Sequence, residues 1–348
     1  MARYGLLLTN IGTPKSFSKE DVGRYLEEFL TDPMVIRAPK LVRNLLVKGL
    51  IVPFRAEKSA KLYRKIWTNE GSPLLVQSKK FAEKLQQSLG TDWRVRIGMR
   101  YGEPSFNQAL ASMSVEQLDK IILFPMFPQY ALSSSQSSID QFHAEIQNYE
   151  KKKGLSLSGK THVIEPYFST PRFIESWVTL FLESAPTEFD HVVMSFHGLP
   201  LSHLAVLSEK CKACPKMEPC KAECDKEASQ ANCYRRQSFR TAELIAQSLK
   251  LKPDQYSVGF QSRLGPLEWI RPNTVDVVKN LAAQGKKKIV VLCPSFVADC
   301  LETLEEVHMG LKEIFIEAGG ESLIPVPCLN AHDHWIESAK ELVCKNLN

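Results

Sequence analysis

His191-Val192-Val193-Met194-Ser195-Phe196 runs without a break into His197-Gly198-Leu199-Pro200. A short, mostly apolar run rich in β-branched residues and closed by a Gly/Pro turn reads as a strand, and one with so little polar alternation belongs to a sheet covered on both faces. In open α/β sheets, chemistry collects beyond the carboxyl ends of the strands. His197 stands at such an end, and Gly198 lets the backbone turn and leaves room for a ligand. Imidazole accepts a proton near neutral pH and also binds metals. On position alone, a loop histidine hydrogen-bonded to the backbone is an equal reading.

Working outward, strands are expected at Tyr4–Leu8, Trp93–Met99, Lys120–Phe124, Thr161–Ile164, His191–Phe196, Tyr256–Phe260, Lys288–Leu292 and Leu323–Val326. Helical patterns lie between them: Glu20–Leu30, Ala60–Thr68, Leu74–Ser88, Ser137–Lys152, Pro171–Glu183, Asn232–Ser248, Asn273–Gln284, Glu302–Ala318 and His334–Asn346. The alternation predicts an α/β fold with parallel sheets. A faint repeat refines it. Gly98-Met99-Arg100-Tyr101-Gly102-Glu103-Pro104 is followed by Leu123-Phe124-Pro125-Met126-Phe127. Gly259-Phe260-Gln261-Ser262-Arg263-Leu264-Gly265-Pro266 is followed by Leu292-Cys293-Pro294-Ser295-Phe296. Two similar Rossmann-like, doubly wound halves are therefore expected, residues 1–157 and 158–348, joined near the Lys-, Ser- and Gly-rich stretch Gly154–Lys160,. Two such halves would turn their strand ends toward a common cleft.

A chain of 348 residues that is 44% hydrophobic has enough apolar mass for two domains,. Its net charge of +5 is spread along the chain, which argues against nucleic-acid binding and favours anionic partners only weakly,. The apolar start, Met1 to Gly12, has no long apolar core and no cleavage signature, so it does not read as a signal peptide,. No stretch approaches 18 uninterrupted apolar residues,. A cytoplasmic protein is expected, and its nine cysteines are then not expected as disulfides,.

Four further strand ends carry candidate chemistry. After Lys288–Leu292 come Asp299, Glu302 and Glu306 at helical spacings, with Glu302 and Glu306 on one helical face,. Such a row relays protons or holds a hard cation through oxygen; acids complementing a helix N-terminus are the plainer reading. Gln261-Ser262-Arg263 through Trp269 offers a guanidinium and an indole, which suits a flat anionic aromatic ligand,. Trp269 reads equally well as a core residue. Arg100-Tyr101 and Phe127-Pro128-Gln129-Tyr130 sit at equivalent ends in the first half, with the same ambiguity.

At these residues the sequence resembles the ferrochelatase family. The matching segments include Asn10-Ile11-Gly12-Thr13-Pro14, Tyr25 through Pro33, Ile66 through Leu74, Met99 through Pro104, Phe127 through Tyr130, Ser195 through Pro200, Gln261 through Trp269, and Phe296 through Glu306. The resemblance implies two Rossmann-like halves enclosing a porphyrin cleft. It implies His197 and Glu302 as the catalytic pair on opposite sides of the macrocycle. Ferrous iron, a substrate, would meet His197, Glu302, Asp299 and Glu306, while Ile11, Arg100, Tyr101, Tyr130 and Trp269 would line the porphyrin site. The implied reaction puts iron into protoporphyrin IX. Coproporphyrin, or cobalt with sirohydrochlorin, are the enzyme alternatives, and a porphyrin-binding iron–sulfur redox sensor is the non-enzyme one. Cys300 takes a position that is histidine in many relatives and cysteine in others.

Between Ser208 and Cys233 the chain departs from the usual family spacing. This stretch holds Cys211, Cys214, Cys220, Cys224 and Cys233. Four thiolates suit a [2Fe–2S] cluster or a structural zinc, and some relatives carry such a cluster, so a [2Fe–2S] cofactor on four of these five is expected. Finally, Ile36–Arg64 interleaves basic residues with Leu41, Leu45, Leu46, Leu50, Ile51, Val52 and Phe54. That pattern suits peripheral contact with an anionic membrane, on its cytoplasmic face, or an ordinary packed helix. Oligomeric state is not readable.

Overall fold

The computed structural model describes residues 3–204, 232–263 and 267–347. Its strands are β1 (Tyr4–Thr9), β2 (Gly12–Thr13), β3 (Trp93–Ile97), β4 (Tyr101–Gly102), β5 (Lys120–Pro125), β6 (Thr161–Val163), β7 (His191–His197), β8 (Tyr256–Gln261), β9 (Lys288–Leu292) and β10 (Ser322–Pro325). They form two four-stranded parallel sheets, β3-β1-β5-β6 and β10-β9-β7-β8, and a short β2-β4 pair. Read by order of appearance, each large sheet runs second, first, third, fourth strand. That is the doubly wound order whose switch point lies between the first and third strands, here β1/β5 and β7/β9.

The repeat extends to the loops. Past the second strand of each half the chain doubles back in the same way. Met99 N–H donates to Pro104 O at 2.7 Å, and Phe260 N–H donates to Pro272 O at 2.8 Å. Parallel bridges join Met99 to Ser105 and Phe260 to Asn273. Ser105 and Asn273 then cap the helices Phe106–Met113 and Thr274–Ala283 with their side chains,. Past the third strand each half opens its next helix with a π-helical segment, Leu132–Gln136 and Glu302–Leu311.

Both sheets bury apolar side chains under helices. Leu7, Ile121 and Leu123 pack with Phe106, Leu110, Met113, Phe142 and Ile146. Val193, Ile289, Val291 and Leu323 pack with Val278, Leu281, Val307, Leu311 and Phe315. The chain divides into two compact units, residues 1–127, 132–165 and 330–348 in one, and 128–131 and 166–329 in the other. The margins thus differ from the expected break at 157. Strand β6 pairs with β5 and stays with the first sheet. The C-terminal helix Asp333–Lys345 belongs to the first unit because Trp335, fully buried, stacks on Phe81 at 5.6 Å and meets Phe124 edge-on at 6.2 Å,.

Candidate active site

His197 closes β7 in register with Gln261 of β8 and is half-buried. Its N–H donates to Ser295 Oγ at 3.1 Å, tying the strand end to the loop after β9. Its ring stands edge-on to Phe296, centroids 5.9 Å apart. Nδ1 is buried and has no hydrogen-bond partner among the described residues. Burial pushes the imidazole below its ordinary pKa, and the charge of Glu302 partly offsets this,. The ring is therefore neutral and ready to accept a proton, with a carboxylate near enough to stabilise the cation that results.

Gly198 allows the turn. A Cβ there would lie 2.6 Å from Gln261 O, 2.9 Å from Ser262 O and 3.3 Å from Trp269 Cε3. Trp269 reaches the same place through an antiparallel bridge to Pro200. Its indole Nε1 is buried with no partner among the described residues.

The acid row is wound differently from the expected α-helix Glu302–Ala318. Glu302–Leu311 is π-helical, and only Lys312–Glu317 is α-helical. A physical cause stands at its start: Gln261 Nε2 donates to the Glu302 carbonyl at 2.8 Å, and a side chain inserted on a helical carbonyl disturbs the i→i−4 ladder,. Glu306 accepts from Ser262 N–H at 2.7 Å and from Ser262 Oγ at 2.5 Å. Burial and the charge of Glu302 raise the Glu306 carboxyl above its ordinary pKa, with the Ser262 bonds opposing. Asp299 faces elsewhere. It accepts from Thr303 Oγ1 at 3.0 Å and from Cys328 N–H at 3.4 Å, and its charge is felt by His308, whose pKa burial lowers. Cys300 is buried, which raises its thiol pKa, and Glu302 beside it raises it further.

In the first unit Arg100 donates Nη2 to Asp32 and Nε to Ser137 Oγ at 2.6 Å. Tyr101 and Ser137 each donate a hydroxyl to Asp32 Oδ2 at 2.7 Å. Burial raises the Asp32 carboxyl, but Ser137, the Met34 N–H, Tyr101 and Arg100 together hold it below its ordinary pKa. Tyr101 is 1% exposed, so its hydroxyl serves this network. Ile11 lies alongside, accepting from Tyr101 N–H at 3.0 Å. In the second unit Tyr130 N–H donates to Gln237 Oε1 at 2.6 Å, and Gln129 Nε2 to Thr241 Oγ1 at 3.0 Å, so the helix Tyr234–Ser248 holds the Tyr130 segment.

The structure thus gathers His197, Trp269, Glu302 and Glu306 around Gln261–Ser262, and Ile11, Arg100 and Tyr101 around Asp32, with Asp299 turned to another cluster. Among the described residues no group of three or more His, Cys, Asp or Glu side chains is arranged to hold a metal ion.

Comparison with known proteins decides the family. The ferrochelatase profile matches residues 3–347. The ferrochelatase of Bdellovibrio bacteriovorus is 44% identical over 99% of both chains, and that of Coxiella burnetii is 42% identical over 99% of this chain and 94% of its own. The chain belongs to the ferrochelatase family. Among solved structures, the sirohydrochlorin chelatase SirB of Bacillus subtilis subspecies spizizenii, in complex with cobalt, shares the fold with a TM-score of 0.52 at 10% identity, over 99% of this chain and 94% of its own.

Family motifs contain residues whose work the sequence did not reveal. Asp32 lies in the ferrochelatase segment Tyr25–Pro33 and Gln261-Ser262 opens another, yet their tasks depend on partners distant in the chain. Ser137 and Thr241 lie in no family segment quoted above and carry no local signal. Of the insert's cysteines, Cys211, Cys214, Cys220 and Cys224 lie outside the described residues. Cys233 is 5% exposed and is the N-cap residue of the helix Tyr234–Ser248.

Proposed function

We propose that this ferrochelatase-family chain inserts ferrous iron into protoporphyrin IX to form protohaem. The observation that carries the reading is His197: a strand-end imidazole held neutral by burial, its Nδ1 unengaged, with Glu302 close enough to stabilise its charged form. Metallation removes two pyrrole protons and strips water from the ion, and no electron moves. His197 takes a proton from the ring; Glu302 and Glu306 take up the second and replace water ligands of the iron with carboxylate oxygen. Residues that hold the macrocycle away from its planar resting form bind a transition-state-like shape, the differential binding that speeds the step. From the family's motifs, Ile11, Arg100, Tyr101, Tyr130 and Trp269 are the proposed porphyrin residues. Trp269 supplies a flat apolar face, Arg100 a cation already shared with Asp32, and Tyr101 acts through Arg100. Asp299 is proposed for the iron path from its place in the family's motif alone.

We infer further that four of Cys211, Cys214, Cys220, Cys224 and Cys233 hold a [2Fe–2S] cluster. Their crowding supports this, and Cys233 fits a ligand, since a helix N-terminus favours thiolate. The chemistry above needs no electron from it, so its role would be to stabilise the insert or to sense oxidants or iron supply. Peripheral contact with an anionic bilayer at the cytoplasmic face is supported by the exposed side chains of Leu41, Leu45, Leu50 and Phe54,.

The test is anaerobic purification, a visible spectrum, and metallation of protoporphyrin with ferrous iron. Wild type should form haem and show charge-transfer bands, and His197→Ala should lose about 10²–10⁴-fold in rate. Folded wild-type protein that binds porphyrin without metallating it would overturn the chelatase reading; haem formation without the bands would overturn only the cluster.

A further inference from the structure

Gln261 and Ser262 stand where the elements carrying His197 and the acid row meet. Toward β7, the Gln261 carbonyl accepts from Gly198 N–H at 2.6 Å, directly after His197. Toward the π-helix, its Nε2 donates to the Glu302 carbonyl at 2.8 Å. The amide cannot turn over. Its Oε1 accepts from Ser195 Oγ at 2.6 Å, and Ser195 is in turn 2.9 Å from Thr274 Oγ1. All three side chains are almost fully buried, with Gln261 3% exposed. A flipped amide would set its NH₂ against Ser195 and its oxygen against the Glu302 carbonyl, leaving a buried acceptor unsatisfied.

Ser262 completes the contact. Its backbone N–H and its hydroxyl each engage a different oxygen of Glu306, at 2.7 and 2.5 Å. The residue has φ +61°, in the left-handed region that serine seldom occupies,. A disfavoured backbone kept at a site is a pointer to a task there.

We propose that Gln261 and Ser262 are positioning residues for metallation: Gln261 sets where Glu302 stands relative to His197, and Ser262 holds the Glu306 carboxylate at a fixed orientation for the incoming ion. The inference rests on the chelatase reading above. Neither residue is assigned contact with the reacting atoms. Gln261 acts through the π-helix, whose first carbonyl it grips, and Ser262 acts through Glu306.

The two should separate in kinetics. Gln261→Leu keeps roughly the volume and removes the grip on Glu302, so kcat should fall about tenfold with the KM for porphyrin within about twofold of wild type. Ser262→Gly removes the hydroxyl and relaxes the backbone; Ser262→Ala removes the hydroxyl and leaves the strained backbone. Both should raise the KM for ferrous iron about tenfold or more, the size of losing a hydrogen bond to a charged group, with kcat little changed. Equal effects in the two serine variants locate the task in the hydroxyl. An effect confined to the alanine variant, or iron KM values equal to wild type in both, overturns the Ser262 assignment. Hydrogen exchange of the 302–311 amides provides a readout independent of turnover, so failure of the chelatase reading remains distinguishable. Gln261→Leu should speed exchange at the start of this segment, and unchanged protection there overturns the Gln261 assignment even if wild type proves inactive.

Discussion

A side chain that must take a proton from a substrate has to be deprotonated before the substrate arrives, and at His197 two opposed influences decide this. Burial removes water from the imidazolium and lowers the pKa; the Glu302 carboxylate favours the cation and restores part of the loss,. Followed by NMR of the ring protons, His197 should titrate below the ordinary value of about 6.5. Glu302→Gln should move the midpoint lower still, because the influence that raises it is gone. The linkage to stability has a definite sign. Between the folded pKa and about 6.5 the unfolded chain binds more protons than the native one, so stability falls as pH drops through that window and levels off below the folded pKa. An upward shift in Glu302→Gln would show that Glu302 does not face the ring. The place of His197 at a strand end was legible in His191–Pro200. Its basicity was not, because the burying groups, Phe296 among them, arrive from another strand's loop. The plainer reading, a loop histidine bonded to backbone, is countered by the free Nδ1.

At the scale of elements, the strands were legible because short apolar runs and Gly/Pro punctuation are local, and all eight expected strands occur within two residues of their expected ends,. The π-helix was not legible. Nothing between Glu302 and Leu311 forbids an ordinary helix; the winding answers to Gln261, a residue of a neighbouring strand. The repeat implies a helix between Pro104 and Leu123 without fixing its bounds; it is Phe106–Met113, opened by a capping box of Ser105 and Gln108,. Tertiary anchoring recurs in the helix Tyr234–Ser248, whose Gln237 and Thr241 hold the Gln129–Tyr130 segment. Gln237→Leu should leave the half-buried Tyr130 N–H without that acceptor, at a cost of about 1 kcal/mol,. A lower thermal midpoint and a KM for porphyrin raised several-fold are expected together, because Tyr130 would lose its fixed backbone. An unchanged porphyrin KM in a destabilised variant would limit this helix to a scaffolding role.

For the whole molecule the informative surface is apolar. No helix of the described residues is long and apolar enough to cross a membrane. Yet Leu41, Leu45 and Phe54 are 85%, 76% and 75% exposed, and Val42 and Leu50 lie with them on the segment from Lys40–Leu46 through Val47–Ile51 into Val52–Ile66. In the membrane reading the basic residues interleaved with them would face a bilayer together, and the structure divides that set. Arg43 is buried, donating to Ala38 O at 2.7 Å, and Lys48 pairs with Glu27 at 2.7 Å, whereas Lys40 and Lys58 stay exposed. Apolar insertion should therefore dominate over charge. In co-sedimentation with vesicles of mixed neutral and anionic lipid, wild type should bind and raised salt should weaken binding only in part. Leu41→Asp with Leu45→Asp removes two side chains worth about 1.5–3 kcal/mol each when fully buried. The partition coefficient should accordingly fall about 100-fold or more, with metallation of detergent-dispersed porphyrin near wild type. Binding abolished by salt alone, and indifferent to the leucines, would make the contact electrostatic and leave the apolar face for another occupant.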